Sequence, residues 1–437
     1  MPSPDSLAGS VSDGLPADPR PAPAADRAGN ATMRRCGVPE VPGVLTATEV
    51  LATAEHIAGR QEPCGAISWP DGHTDAWDHI ECAMALSVCG LSGPARRAYD
   101  WLRHTQRPDG SWPKRTEAGI VTDAAAESNQ TAYVAVGTWH EFQLTGDGAF
   151  LAQMWPVVRR AIGFVLDLQL PRGEIVWQRT ADGTPARYAL LTGCSSTYQS
   201  LLCAARLARL AGEPQPHWEQ AARRLGHVVA GHPGAFADKS RFSMDWYYPV
   251  LAGPVRGPAA RARLDSGWAE FVVPGLGVRC VRDEPWVTGA ETCELVMALD
   301  ATGDRARALA VFGEVQHLRD TDGGYWTGWQ YANQAHFPDE RSSWTAAAMI
   351  LAADALSRTT PGSGLFRDLP SAAAPRRGPA GRGTNGAGTN SAEGDGAGGD
   401  FAGGDGAGTN NAGANGAGGD GAGGDDGSAP CGCPPPE

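Results

Sequence analysis

The chain has 437 residues and a formal net charge of −13. An acidic chain without a run of Lys and Arg is a poor partner for nucleic acid or an anionic membrane surface, since both favour a basic patch. No stretch approaches 18 unbroken apolar residues, and the first residues lack the basic and apolar regions of an export signal. We therefore expect a cytoplasmic protein with no transmembrane segment.

Twelve segments repeat their apolar residues with the 3.6-residue period of a helix. In chain order they are 47–59, 76–91, 94–106, 128–144, 148–170, 194–212, 215–231, 244–252, 257–270, 290–302, 304–318 and 340–357. Short links containing glycine join them in pairs, which predicts antiparallel helical hairpins. Strand signals are weak, because "GAISW", "GEIVW" and "FVVPG" are long enough only for ribbons at the edges of turns.

The two members of each pair differ in character. Segments 94–106, 148–170 and 215–231 carry charged residues on one face, whereas partners such as 290–302 and 340–357 are apolar or small almost all round. A helix that is apolar on every face belongs inside a protein. Six hairpins of this kind predict an all-α fold, an (α/α)6 toroid (barrel) with an inner and an outer ring.

The two ends of the chain differ in composition from the middle. Residues 1–40 are rich in Pro, Ala, Asp and Ser, and residues 359–437 are rich in Gly, Ala, Asn and Asp. Such segments cannot bury enough apolar surface to offset their ordering entropy, so we predict disorder at both ends. The toroid is then expected to span residues 41–358. Cys431 and Cys433 form a CxC pair in the tail without a second ligand pair, so no structural zinc site is predicted there.

A Gln-turn-Gly-Trp element recurs four times at the ends of helices. It comprises Gln61, Gly65 and Trp69; Gln106, Gly110 and Trp112; Gln169, Gly173 and Trp177; and, with a longer turn, Gln316, Gly323, Gly324 and Trp326. Glycine tolerates a positive φ where a helix stops, a Gln amide can bind unpaired helix-end groups, and Trp covers the junction. The recurrence predicts a structural repeat.

These elements resemble the QW repeats of squalene and hopene cyclases, which share an α/α toroid with the β subunits of protein prenyltransferases. The stretch "RRAYDWLRHTQRPDGSW" fits that pattern nearly throughout, and "DAWDHIECAMAL" is similar to the "VWDTA" helix start of the cyclases at Trp77 and Asp78. The similarity spans about residues 45–358. It implies the toroid fold and an isoprenoid or lipid-linked substrate.

The chemistry of those families is not matched residue by residue. No DxDD motif, the proton donor of triterpene cyclases, occurs in the chain. Glu291 and Cys293 have the spacing of two prenyltransferase zinc ligands, but the last inner helix begins "PDERSSWTAAA" and offers no histidine as the third. We therefore expect neither a metal nor a cofactor.

The starts of the predicted inner helices are polar, acidic or aromatic, and in a closed ring they converge around one mouth. They are residues 75–81, 126–133, 194–200, 243–249, 290–296 and 338–344. Ser, Asp and Asn are ordinary N-caps, but capping does not account for the aromatic residues among them. The residues expected to bind substrate at this mouth are Trp77, Tyr133, Tyr198, Trp246, Tyr247, Glu340 and Trp344.

The same toroid is used by six-hairpin glycosidases, which need two carboxyl groups across a cleft with aromatic platforms for the sugar. Asp245, in an otherwise apolar segment, is the first candidate for a catalytic carboxyl group, because burial raises a carboxyl pKa. Glu291, Glu127 and Asp78 follow. Glu81 is also among the acidic residues near these helix starts.

Three functions remain open from the sequence. The first is an enzyme like prenyltransferases and terpenoid cyclases that acts on an isoprenoid or lipid-linked substrate by acid/base chemistry. The second is a six-hairpin carbohydrate-active enzyme with paired carboxylates, and the third is a non-catalytic ligand-binding toroid. In each case the partner is a small molecule, and the sequence does not determine the oligomeric state.

Overall fold

The computed structural model describes residues 37–369, and the structural statements that follow concern that part of the chain. The predictions of disorder for the first 36 residues and for residues 370–437 lie outside the described residues. So does the prediction for Cys431 and Cys433.

All twelve predicted helical segments are helical, and the segment 128–144 is divided at Tyr133 into two helices. The helices are α1 Ala47–Gly59, α2 Ala76–Val88, α3 Ser92–Thr105, α4 Ser128–Ala132, α5 Val134–Thr145, α6 Gly148–Leu166, α7 Leu191–Leu210, α8 Pro216–Gly231, α9 Ser243–Leu251, α10 Gly257–Phe271, α11 Gly289–Thr302, α12 Arg305–Glu314 and α13 Ser343–Ser357. Short 3₁₀ turns occupy Pro233–Ala235 and Val315–Leu318.

Six helices form a closed inner ring in the order α2, α5, α7, α9, α11 and α13, with α13 packed against α2. Helices α1, α3, α6, α8, α10 and α12 lie outside them. The burial pattern gives the reason, because nearly every residue of α13 is buried whereas α3 buries only one apolar stripe. The predicted (α/α)6 toroid is confirmed.

The glutamine of each regular Gln-turn-Gly-Trp element joins two hairpins. The amide Nε2 of Gln106 donates to the carbonyl oxygen of Gly110 at 2.9 Å and to that of Val157 in α6, also at 2.9 Å. Gln61 makes the same pair of bonds to Gly65 and to Pro94 of α3, and Gln169 makes them to Gly173 and to Ala221 of α8. Each glutamine therefore fastens its own turn to the next outer helix.

The glycine of each element allows that close approach. Gly110 has a φ of +93°, and a Cβ on it would lie 2.3 Å from the carbonyl oxygen of Arg160 in α6. Gly65 and Gly173 meet α3 and α8 in the same way. In the fourth element, Gly323 lies against Ala52 of α1, so the last repeat closes the outer ring onto the first helix. Gln316 departs from the pattern, since it lies in the 3₁₀ turn Val315–Leu318 and its amide donates to the carbonyl of Phe312 at the end of the preceding helix α12.

Small antiparallel sheets lie in the links that lead from outer helices to the starts of inner helices. The strands are β1 His73–Thr74, β2 Arg115–Glu117, β3 Ile120–Asp123, β4 Ala126–Glu127, β5 Gln178–Arg179, β6 Val272–Val273, β7 Gly277–Arg279, β8 Trp286–Thr288, β9 Gly328–Gln330 and β10 Ala335–His336. They form sheets in the orders β1-β2-β3, β4-β5 and β10-β9-β8-β7-β6. Most are two or three residues long, too short for an alternating pattern in the sequence.

The folded domain extends past the boundary predicted at residue 358. The hydroxyl of Thr360 donates to Oδ2 of Asp354 at the end of α13, and Leu365 and Phe366 are buried in the core. Nη1 of Arg367 lies 2.5 Å from Oδ2 of Asp300 in α11. Residues 359–369 therefore cover the end of the barrel opposite the inner-helix N-termini.

Helix α6 is the one described helix that is long and apolar enough to cross a membrane by length and composition. However, 56% of its most apolar 18-residue stretch is buried inside the domain. A core helix passes the same test, so α6 is weak evidence for a membrane span.

Candidate active site

Two carboxyl groups lie side by side where α2 begins. Asp75 is the N-cap, and its Oδ1 accepts the backbone N–H groups of Trp77 and Asp78 at 2.9 and 3.0 Å. Oδ2 of Asp78 accepts the indole N–H of Trp69 at 2.7 Å, and Asp78 is only 3% exposed. Burial and the neighbouring charge of Asp75 raise the pKa of Asp78 well above its usual value.

One turn further along α2, Glu81 accepts three hydrogen bonds. The donors are the indole N–H of Trp77 at 3.0 Å, the hydroxyl of Tyr133 at 2.9 Å and the indole N–H of Trp344 at 2.8 Å. Burial raises the pKa of Glu81 to about 6, while these three donors act in the opposite direction. Glu81 thus connects α2 with the α4–α5 junction and with α13.

The aromatic residues predicted at these helix starts form part of one wall. The ring of Trp77 stacks on Tyr133 with centroids 4.8 Å apart and meets the edge of Tyr248 at 5.9 Å. Trp69 and Trp344 lie 6.1 Å apart, next to Asp78 and Glu81 respectively. The structure therefore brings Trp77, Tyr133 and Trp344 together with the carboxyl groups of α2.

A second pair of carboxyl groups lies where α11 begins. Glu291 is 1% exposed, and neither of its carboxylate oxygens accepts a hydrogen bond of good geometry from residues 37–369. Burial raises the pKa of Glu291. The nearby Thr288 hydroxyl and Cys280 thiol act in the opposite direction but do not cancel the effect of burial. Glu294 lies one turn further along α11 and accepts a hydrogen bond from the hydroxyl of Tyr247.

The carboxyl groups of α2 and α11 lie within electrostatic range of one another. Burial, followed by the charge of Glu81, raises the pKa of Glu294 well above its usual value, and the charge of Glu291 adds to the effect. The charge of Glu81 also contributes to the raised pKa of Asp78. Glu294 was not among the predicted site residues, although it lies three residues after Glu291 and so on the same helix face.

Glu127 precedes α4 and forms an ion pair with Lys114. Nζ of Lys114 lies 3.3 Å from Oε1 of Glu127 and 4.7 Å from the ring centroid of Trp177. Burial raises the pKa of Glu127 to about 7, and the charge of Lys114 acts in the opposite direction. Lys114 was not among the predicted residues, because nothing in the sequence shows that its loop returns to α4.

Asp245, the first catalytic candidate from the sequence, lies in the first turn of α9. Its Oδ1 accepts the hydroxyl of Thr192 in α7 at 2.7 Å, and burial raises its pKa. The neighbouring Trp246 turns away from the ring centre, contrary to the prediction. Its indole N–H donates to the carbonyl of Arg263 in α10 and its ring stacks on Phe271 at 5.4 Å.

Tyr198 also departs from the predicted position. Helix α7 begins at Leu191 rather than near residue 194, so Tyr198 lies two turns inside the helix, not at its start. Its ring packs against Gly226 of α8, where a Cβ would be 2.6 Å away, and so faces the outer ring. Glu340 is half-buried in the loop before α13, and its Oε1 accepts the hydroxyl of Thr327 at 3.3 Å.

Within the described part of the chain, no group of three or more His, Cys, Asp or Glu side chains could hold a metal ion. Cys293 instead lies with its Sγ 3.2 Å from Sδ of Met349 in the core. The absence of zinc from the protein remains a prediction that elemental analysis can test.

The fold is shared with enzymes that act on sugars. A glycosidase in complex with glucose has a TM-score of 0.59 and 16% identity, over 73% of this chain and 97% of its own. A D-mannose isomerase has a TM-score of 0.57 and 12% identity, over 71% and 97%. The cellobiose 2-epimerase of Spirochaeta thermophila has a TM-score of 0.52 and 12% identity, over 71% and 96%. The molecule is therefore a glycosidase-like (α/α)6 toroid.

A closer relationship is found in sequence. The chain is 60% identical over 336 residues to an MMP endo-(1,4)-3-O-methyl-α-D-mannosidase of Mycolicibacterium hassiacum, covering 76% of this chain and 93% of that protein. The chain belongs to the family of this mannosidase and is an enzyme of the glycoside hydrolase type. No family model matches the chain. These findings support the six-hairpin carbohydrate-active alternative and give no support to the prenyltransferase and terpenoid cyclase hypothesis.

Proposed function

We propose that the protein hydrolyses α-(1,4) linkages within chains of 3-O-methyl-D-mannose. The observation that carries this proposal is the 60% identity over nearly the whole length of the Mycolicibacterium hassiacum mannosidase. The buried carboxyl groups at the starts of α2 and α11 supply the acid and base that hydrolysis of a glycosidic bond requires.

We assign the role of general acid to Glu291. Burial raises the pKa of Glu291 and favours its protonated form, and no hydrogen bond of good geometry from the described residues reaches its carboxylate oxygens to offset that effect fully. In the reaction its proton passes to the glycosidic oxygen as the bond from that oxygen to the anomeric carbon breaks. The oxygen leaves as the hydroxyl of the departing sugar chain.

Asp78 is the candidate for the second carboxyl group. Burial and the charges of Asp75 and Glu81 raise the pKa of Asp78, whereas the indole N–H of Trp69 stabilises its anion. As an anion, Asp78 takes a proton from the water that attacks the anomeric carbon, or attacks that carbon itself. The first course inverts the anomeric configuration and the second retains it.

The aromatic wall suits a methylated sugar. A 3-O-methyl ether replaces a hydroxyl donor by apolar surface, which packs well against large aromatic rings. Trp77, Tyr133 and Trp344 lie beside the carboxyl groups with at most 1% of each residue exposed, so we expect them to form the layer directly behind the surface that contacts the sugar.

The first experiment is to incubate the purified protein with α-(1,4)-linked oligosaccharides of 3-O-methyl-D-mannose. Unmethylated α-(1,4)-mannose and α-(1,4)-glucose oligosaccharides of equal length serve as controls. We expect cleavage at internal linkages of the methylated substrate, seen by mass spectrometry, and NMR at early times gives the anomer released. Faster cleavage of either control would contradict the proposed substrate class.

The second experiment separates the acid from the other carboxyl group. A substrate whose leaving group needs no protonation, such as a dinitrophenyl glycoside, should still react with the Glu291→Gln variant. The Asp78→Asn variant should fail on both kinds of substrate. If the two variants exchange these behaviours, the assigned roles are reversed.

A further inference from the structure

Beneath the two candidate catalytic carboxyl groups lies a second tier of carboxyl groups. Glu81 follows Asp78 by three residues in α2, and Glu294 follows Glu291 by three residues in α11. Residues three apart share a helix face, so each glutamate lies about one turn deeper in the barrel than its partner. Both are buried.

Glu81 does not have the contacts of a reacting group. Its two oxygens are already occupied by donors from three separate segments, at 2.8 to 3.0 Å. Oε1 binds Trp77 and Tyr133, and Oε2 binds Trp344. An indole N–H can only donate, so each buried tryptophan needs an acceptor at this place.

We propose that Glu81 is a positioning residue for the active site, because through the buried rings of Trp77, Tyr133 and Trp344 it holds the starts of α2 and α13 and the α4–α5 junction in one arrangement around Asp78. This inference rests on the proposed function, in which the carboxyl groups at these helix starts act on the sugar. A carboxylate suits the task because both of its oxygens accept hydrogen bonds, whereas a side-chain amide has one accepting oxygen and one donating NH₂. Glu294 supports Tyr247 in the same way from α11.

The isosteric amide cannot replace this carboxylate. In a Glu81→Gln variant the amide NH₂ must face either Trp344 or the pair formed by Trp77 and Tyr133. Either orientation places the amide NH₂ opposite the indole N–H of one tryptophan. The hydrogen bond to that tryptophan is then lost, and its N–H stays buried without an acceptor. One ring of the wall is then expected to move.

The test measures kcat, KM and melting temperature for the wild type, Glu81→Gln, Trp344→Phe and the double variant. We expect Glu81→Gln to raise KM about tenfold, the effect of losing about 1.4 kcal/mol of binding free energy. Phenylalanine removes the unpaired indole donor, so Trp344→Phe should be less harmful in the Glu81→Gln background than in the wild type. Strict additivity of the two changes would contradict a shared positioning role.

The pH profile supplies a readout that a merely structural glutamate would not move. The charge of Glu81 contributes to the raised pKa of Asp78, so removing that charge should shift the limb due to Asp78 toward lower pH. The matched control is Glu141→Gln, another buried glutamate, which lies in α5 beside Arg96 at 4.0 Å. That variant should alter melting temperature but neither KM nor the pH profile.

A folded Glu81→Gln variant with wild-type KM and an unmoved pH profile would overturn the inference, even with a lower melting temperature. The wild type is assayed first. If it cleaves no 3-O-methylmannose oligosaccharide, the proposed function fails, and the Glu81 variants are then compared on the sugar that the wild type does cleave.

Discussion

At the scale of single residues, Asp245 and Glu291 are both buried carboxyl groups in first turns of inner helices, but their surroundings differ. Asp245 accepts the hydroxyl of Thr192, whereas neither carboxylate oxygen of Glu291 accepts a hydrogen bond of good geometry from the described residues, although the Thr288 hydroxyl and the Cys280 thiol lie nearby. A buried carboxyl group without a well-placed donor reduces stability and is typical of a functional position. Glu291 is therefore the stronger catalytic candidate, although the sequence had ranked Asp245 first.

We expect Glu291→Gln to lower kcat by ~10²–10⁴-fold, the usual contribution of a general acid. Its melting temperature should equal or exceed that of the wild type, since the change removes a buried group that can carry charge. Asp245→Asn should keep more activity than Glu291→Gln. Activity and melting temperature measured on both variants decide between them, and an inactive Asp245→Asn with an active Glu291→Gln would restore the original ranking.

Glu127 should make stability depend on pH. Because burial raises its pKa in the folded protein to about 7, the folded chain binds the proton more tightly than the unfolded chain. The resulting stabilisation is complete below the ordinary pKa of a glutamate and is lost as pH rises through about 7. Glu127→Gln should therefore gain stability relative to the wild type between pH 5 and pH 8, as measured by urea unfolding at each pH. A constant difference across that range would show that Glu127 does not titrate there.

Several residues of the site could be predicted and others could not. The difference lies in where each helix begins, which sets the direction of each side chain. Trp77, Tyr133 and Trp344 lie where the polar helix starts indicated. Tyr198 does not, because α7 begins three residues earlier than its apolar pattern suggested. Trp246 neighbours Asp245 in sequence, but adjacent residues of a helix point about 100° apart, which turns this ring toward α10.

At the scale of elements, periodicity predicted the helices well because each is long and consistently patterned. The Gln-turn-Gly-Trp recurrence was also visible, but for the first three glutamines the partner in the next outer helix lies more than 30 residues away, as with Gln61 and Pro94. Such a partner follows only from the order of hairpins around the ring. The pairing of the short strands depends on the same order of hairpins, because strands from different links pair with each other, as β8 does with β9.

The glycine of the element provides a direct test of that packing. Gly110→Ala should destabilise the fold by more than ~4 kcal/mol, a loss that single changes rarely reach, because its Cβ would meet the Arg160 carbonyl. Gly183 has a similar positive φ of +88° but open space around it. Gly183→Ala should therefore cost only the ~1–2 kcal/mol of a left-handed backbone. Equal losses in urea unfolding would mean that the close approach to α6 contributes nothing.

At the scale of the whole molecule, the sequence predicted the toroid but ranked the prenyltransferase-like reaction above the carbohydrate-active alternative, which is the one that the relatives support. The repeat describes how hairpins join, as the bonds of Gln106 to Gly110 and Val157 show, and that junction serves the barrel rather than any substrate. Reaction class depends on the carboxyl groups at the mouth, which come from helices more than 200 residues apart in the chain. The start of α2, which carries Asp78, and the start of α11, which carries Glu291, come to the same ring only when α13 packs against both helices.

That closure should depend on residues 359–369, which pack across the opposite end of the barrel. Their buried Leu365 and Phe366 each contribute ~1.5–3 kcal/mol by burial, and Arg367 pairs with the buried Asp300. A chain ending at residue 358 should therefore be at least ~3 kcal/mol less stable to urea than one ending at residue 369. Arg367→Ala in the longer chain should give part of that loss, because Arg305 and Arg358 remain only 3.8 and 3.9 Å from Asp300. Equal stability of the two truncated chains would show that the barrel closes without this segment.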